Sequence, residues 1–151
     1  MSERLGQKVA LLGTIDPTFI GASATSTSDV VDARLYDSLL FVMSVGTITS
    51  SSSLTLTVYK GTASATVTST VASASVTHLA DNTQKIVDVD VSKEGAYRYY
   101  KGTVVVNGGG CSSGGGSGDC WGNFALNIFG NSTRFHPASD NDLASVTLSY
   151  N

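Results

Sequence analysis

The side chains with the widest chemical repertoire in this chain are two cysteines, Cys111 and Cys120, and two histidines, His78 and His136. Eight residues, Ser112–Asp119, separate the cysteines. That spacing fits neither a Cys-x-x-Cys redox pair nor a zinc knuckle, and two isolated thiols do not complete a tetrahedral metal set. The glycine and serine between them are flexible enough to let the sulfurs meet, so a disulfide and two free thiols both stay open. A bond closing a loop of about ten residues would contribute roughly 2.5–3 kcal/mol on the chain-entropy argument. His78 and His136 fall in different predicted loops, outside any ligand pair, and read as ordinary surface histidines. Serine is abundant, yet no strand-to-helix elbow sets one up as a nucleophile. The Gly-rich stretch also lacks the lysine of a phosphate-binding loop.

Acidic residues offer little more. Asp140 and Asp142 flank Asn141, and Asp88 and Asp90 share a strand face, but neither set has the spacing or bidentate Glu of a calcium loop. They read as solvated acids. Asn131-Ser132-Thr133 has the glycosylation acceptor pattern, which carries weight only in an exported chain. The expectation is therefore a protein without catalytic residues, cofactor or metal. A more distinctive group is Tyr97, Tyr99 and Tyr100 with Arg98 and Lys101 among them. Tyrosine packs its ring while using its hydroxyl at a wet boundary, and Arg98 suits carboxylate pairing, so this segment is a candidate interface. Phe19, Ile20 and Trp121 are further candidates, Trp121 as an anchor beside the Cys111–Cys120 loop.

The elements that must position these groups are strands. The chain has 151 residues, 41% apolar and only 14% charged, against about 25% charged in an average soluble domain. Abundant Val, Thr and Ser favour β structure, and low charge excludes a long-helix or coiled-coil protein. So large an apolar share, with a net charge of only -3, excludes a disordered chain. The nine Lys and Arg are scattered, without a basic run for a phosphate backbone. No apolar stretch approaches the roughly 20 residues of a membrane helix. Val9–Leu12 is too short for the apolar core of a secretory leader.

Residues 1–29 read as an amino-terminal arm and lead-in, with a short strand near Val9–Leu12. Residues 30–151 read as a β-sandwich domain. Leu39, Phe41, Met43 and Val45 mark one face of a strand expected to be covered on both sides. Leu54, Leu56 and Val58 alternate with Thr55, Thr57 and Tyr59, as a half-buried strand requires. Thr62–Leu79 suggests one or two edge strands, and Val87, Val89 and Val91 form an apolar-in, acid-out strand with Asp88 and Asp90. Tyr97–Val106 reads as one long strand, with Tyr97 and Tyr99 on one side, Arg98 and Tyr100 on the other, and a bend or bulge at Gly102. Gly108–Gly118 reads as an exposed loop. Phe124, Leu126 and Ile128 alternate in the next strand, and Ala144, Val146, Leu148 and Tyr150 in a last one. Seven or eight antiparallel strands without a helix specify an all-β domain, a β-sandwich or jelly-roll-like, and periodicity does not decide between those topologies.

Two segments carry a family resemblance. Val31-Asp32-Ala33-Arg34-Leu35-Tyr36-Asp37-Ser38-Leu39-Leu40-Phe41-Val42 resembles an early strand of small β-rich virion proteins of tailed bacteriophages. Glu94-Gly95-Ala96-Tyr97-Arg98-Tyr99-Tyr100-Lys101 resembles their later Gly/Lys/Tyr/Arg segment. Leu35 stands where that pattern commonly has Gly. The resemblance implies a non-enzymatic capsid decoration, or cement, protein made in the host cytoplasm and carried on the outer surface of the virion. It also implies a homotrimer whose partner is the major capsid protein, with neither nucleic acid nor membrane as a ligand. The alternative is a head- or tail-fibre module for host-surface carbohydrate, with Trp121 and Asn123 in a shallow platform.

Overall fold

Alternation of apolar and polar side chains sets the strands in place. The computed structural model describes residues 9–21, 24–50, 52–80, 82–108 and 120–133. In chain order these form β1 (Val9–Gly21), β2 (Thr25–Thr27), β3 (Val31–Asp32), β4 (Tyr36–Ile48) and β5 (Ser52–Gly61), followed by β6 (Ser69–Thr77), β7 (Gln84–Asp90), β8 (Tyr99–Gly108) and β9 (Trp121–Thr133). Short 3-10 turns at His78–Ala80 and Val91–Glu94 are the only helical residues among those described.

One sheet has the order β1-β9-β4-β7 and the other β2-β8-β5-β6, with β3 continuing β2 along β8. All the pairings are antiparallel. Counting β2 and β3 as one interrupted strand, successive strands cross between two four-stranded sheets, except for the β5–β6 hairpin within one sheet, in the eight-strand order of a jelly roll. The all-β sandwich read from the sequence is the fold observed, and β9 already fills its eighth place. Residues 144–150 and the glycines from 109 to 118 lie outside the described residues.

The core lies between the inner faces. Leu39, Phe41 and Met43 of β4, Leu54, Leu56 and Val58 of β5, and Leu126 and Ile128 of β9 are fully enclosed. Each contributes on the order of 1.5–3 kcal/mol by leaving water. The outer face of β4, expected to be covered, is half-buried at Leu40 and Val42. Gly102, expected to ease a bulge, instead pairs in regular register with Val58. Its role is close approach of the sheets, because a Cβ there would lie 2.6 Å from Leu126 Cδ2.

The segment read as an arm departs most from expectation. Val9–Gly21 is a 13-residue edge strand paired with β9, and Thr25–Thr27 pairs with β8. Gly13, Asp16 and Pro17 break its alternation, and the register slips between Leu11 and Gly13 and again between Ile15 and Thr18. Pro17 is tolerated there because an edge strand has one side free of ladder bonds and a bulge absorbs its missing donor. Removing residues 1–20 would therefore strip β1 from its sheet.

Candidate functional site

The strand order sorts the chain's chemistry to two opposite ends of the sandwich. At one end, β1 leaves at Gly21, β4 leaves at Ile48, and β9 enters at Trp121. The β1–β9 register places Gly21 opposite Trp121, Ile20 opposite Gly122 and Phe19 opposite Asn123. Alternation then turns Ile20 into the core, 9% exposed, and Phe19 out to solvent, 60% exposed. The rings of Phe19 and Trp121 meet with centroids 5.3 Å apart and planes tilted by 34°.

Beside this pair, the outer face of β1, β9 and β4 forms an open groove of about 500 Å³. Its walls carry Pro17, Thr18 and Phe19 from β1, Ser44 and Gly46 from β4, and Asn123 and Ala125 from β9. A register shift lies at each side, between Ile15 and Thr18 on β1 and between Val45 and Ile48 on β4. Bulges of this kind bend a strand locally and re-aim side chains. No side chain lining the groove is ionisable.

The backbone under Trp121 is held firmly. Its N–H donates to Thr49 Oγ1 at 2.9 Å, and its carbonyl accepts from the Thr49 N–H at 3.0 Å. Cys120, immediately before it, is buried and disulfide-bonded. Cys111 lies outside the described residues. His78, read as a surface residue, sets its Nδ1 2.8 Å from the Ile48 carbonyl and so ties the β6–β7 connection to the same end. His136 lies outside the described residues, as do Asp140, Asn141 and Asp142. Gly110-Cys111-Ser112-Ser113-Gly114, which has the Gly-x-Ser-x-Gly spelling, lies outside them too. Among the described residues, no group of three or more His, Cys, Asp or Glu could hold a metal ion. None of their helices is long and apolar enough to cross a membrane.

The tyrosine segment lies at the opposite end, and its members separate. Strand β8 begins at Tyr99, not Tyr97, so the expected side-to-side alternation of the four residues does not hold. Tyr97 packs partly against the core with the Lys60 ammonium 4.3 Å from its ring centroid, and Lys60 pairs with Glu94. Arg98 donates from Nε to Asp32 Oδ1 at 2.8 Å and from Nη2 to Oδ2. Its guanidinium also lies 5.0 Å from the Tyr99 ring. Arg34 joins through its backbone N–H, 3.1 Å from Asp32 Oδ1, and through its largely exposed guanidinium, whose Nε lies 3.5 Å from Asp32 Oδ2. The Arg98 bonds, reinforced by the Arg34 N–H, hold the Asp32 carboxyl below its ordinary range, against the opposing pull of burial.

Tyr100, an interface candidate by sequence, is fully enclosed, and its hydroxyl has no hydrogen-bond partner among the described residues. Burial, with Glu94 nearby, pushes it up to about 12. Of the seven candidate interface residues, Phe19 and Trp121 thus come together at one end. Arg98 and Tyr99 stand at the other, Tyr97 is partly covered, and Ile20 and Tyr100 face the core. Asp32 was missed as a partner of Arg98, because nothing local joins residues 66 positions apart.

No protein-family model and no curated protein sequence matches the chain. Its fold is similar to part of a chain in the structure of infectious bursal disease virus, Gt strain. The TM-score is 0.52 at 15% identity, covering 87% of this chain and 33% of that one. A chain in the structure of the Gx strain gives 0.48 at 16% identity, covering 86% and 33%. This chain therefore spans about a third of the length of the structures it matches, and what it shares with the first of them is the jelly-roll fold.

Proposed function

We propose that this protein is a structural component of a virus particle, specifically a cement protein bound to the major capsid lattice on the outer surface of a phage head. The observation that supports this most is the jelly-roll sandwich, of the kind found in a chain of a solved virus structure, joined to the two sequence segments that resemble phage virion proteins. A fold alone does not assign a function, so the surface chemistry must carry the rest. The end bearing Arg34, Arg98 and Tyr99 gathers two partly exposed guanidiniums around the single Asp32 carboxylate, leaving an excess of positive charge beside an aromatic ring, which suits acidic, partly apolar protein surface. Cementing requires burying such surface across adjacent capsomers, and a homotrimer would repeat each contact three times and multiply its effect.

Purified particles of the virus that encodes the chain test this reading. The protein should bind expanded shells at lattice stoichiometry and raise their resistance to heat, and light scattering should give the mass of three chains. Arg34→Glu and Tyr99→Ala should abolish attachment while the free protein stays folded. Failure of the unaltered protein to bind any such shell would sink the proposal. One observation favours a carbohydrate-binding role instead of, or beside, cementing: Phe19, Trp121 and Asn123 converge at the end remote from that cationic surface.

A further inference from the structure

Taking that carbohydrate reading as its premise, we infer that the groove between β1, β9 and β4 is a binding site for an uncharged oligosaccharide. A sugar ring presents an apolar face of C–H groups and an equatorial belt of hydroxyls, so its site needs an aromatic surface bordered by neutral donors and acceptors. The groove supplies both. Phe19 gives the groove an exposed apolar wall and packs its ring on Trp121, which stands just beyond the lining and is anchored through its backbone. Beside it stand Ser44 of β4 and Asn123 of β9, whose side chains are neutral and polar. Among the described residues these two side chains make no hydrogen bond, so their donors and acceptors are free for a ligand. Gly46 leaves the floor open beside Asn123, whose Cβ would lie 3.5 Å from a Cβ at that position. The volume, about 500 Å³, falls within the range of small-ligand sites.

Charge selects the ligand class. The lining has no ionisable side chain, Asp16 directly precedes Pro17, and the chain carries a net charge of -3. A sialylated or sulfated glycan would meet no cation in the groove and would be disfavoured by this background. A neutral hexose oligomer would lose nothing.

The chain has a single tryptophan, so its emission comes from Trp121, whose ring meets Phe19 at the edge of the groove. The probes are maltotetraose, lacto-N-neotetraose and the sialylated form of the latter, titrated into the full chain, with calorimetry as a second readout. At least one neutral tetrasaccharide should shift Trp121 emission saturably, with its sialylated counterpart several-fold weaker. Asn123→Ala and Phe19→Ala, both at exposed positions, should weaken binding about tenfold, as loss of one hydrogen bond or one stacking face implies, with melting temperature unchanged. Binding confined to the sialylated glycan would overturn the neutral-ligand inference and leave the carbohydrate reading standing. No response to any of the three up to about 10 mM would overturn both, since that limit corresponds to a few kcal/mol. Loss of shell attachment in Phe19→Ala without sugar binding by the unaltered chain would mark the groove as a protein interface and overturn the proposal.

Discussion

Arg98 grips Asp32 side-on, its Nε donating to Oδ1 at 2.8 Å and its Nη2 to Oδ2, and this pair ties the start of β8 to β3. The fork of a guanidinium matches a carboxylate in two parallel bonds, which adds direction to the attraction. The Arg98 backbone takes part as well, its carbonyl accepting from the Ala33 N–H at 2.9 Å and its N–H donating to the Gly61 carbonyl at 3.1 Å. Asp32→Asn should lower stability at neutral pH. Asp32 has a folded pKa below its ordinary value of 3.8. Its stabilising effect is therefore present above about pH 4 and disappears as pH falls through the depressed folded value. Chemical denaturation from pH 7 to pH 2 should show a shallower acid loss in Asp32→Asn than in the unaltered chain. Identical profiles would mean the pair contributes nothing to stability.

Tyr100 makes the opposite prediction. Its hydroxyl is enclosed without a partner among the described residues, so Tyr100→Phe removes a desolvation penalty and should be neutral or stabilising by about 1 kcal/mol. The folded pKa, about 12, exceeds the ordinary value of 10.0. Folding thus favours the protonated phenol, and stability associated with it is retained below pH 10 and lost as pH rises through 12. Denaturation midpoints followed from about pH 8 to about pH 12 should fall more steeply in the unaltered chain than in Tyr100→Phe, which lacks this contribution to the alkaline decline. Parallel declines would show that the phenol does not titrate differently in the folded chain.

Gly130 of β9 tests how closely the side chains of its two neighbouring strands, β1 and β4, pack over it. A Cβ at this position would lie 2.5 Å from Tyr36 Cδ1 and 2.7 Å from Leu12 Cδ1, and Tyr36 is itself enclosed. Gly130→Ala should cost about 1–3 kcal/mol, the range for overpacking a filled interior. Gly21→Ala, where no atom lies within 4 Å of the added carbon, is the matched control and should change stability little. Urea denaturation of the two variants separates packing from any general effect of replacing glycine.

The disulfide at Cys120 predicts a difference between oxidised and reduced protein. The chain has two cysteines, so a bond within one chain joins Cys120 to Cys111. Intact mass after alkylation should show no free thiol without reductant and two after it. Reduction should lower stability by roughly 2–3 kcal/mol on the loop-entropy argument. It should also shift Trp121 emission, because the ring follows Cys120 directly. Alkylation of both cysteines without reductant would overturn the assignment.

How much of this was legible before the structure depends on the element. In β4, β5, β7 and β9 one face is enclosed and the other is not, so burial writes itself into alternate residues. Those strands, and the all-β sandwich they compose, could be read directly. In β1 the same signal is interrupted by Gly13, Asp16 and Pro17, because bulges shift which residue faces inward. That is why its segment reads as an arm. The tyrosine segment misleads for a related reason: Tyr97 and Arg98 precede the strand, so period-two logic does not apply until Tyr99.

By itself, the amino-acid sequence determined the β class, most inward-facing residues, the absence of a basic or membrane-spanning run, and a short list of aromatic surface candidates. These follow from composition and from spacing within one strand. Only the tertiary structure decided which candidates stand together. Phe19 meets Trp121 because β1 and β9, far apart in the chain, are neighbours in one sheet. Asp32 meets Arg98 because β3 continues along β8. Such pairings depend on strand order, which results from burying all the inner faces at once and leaves no mark in any single stretch of chain.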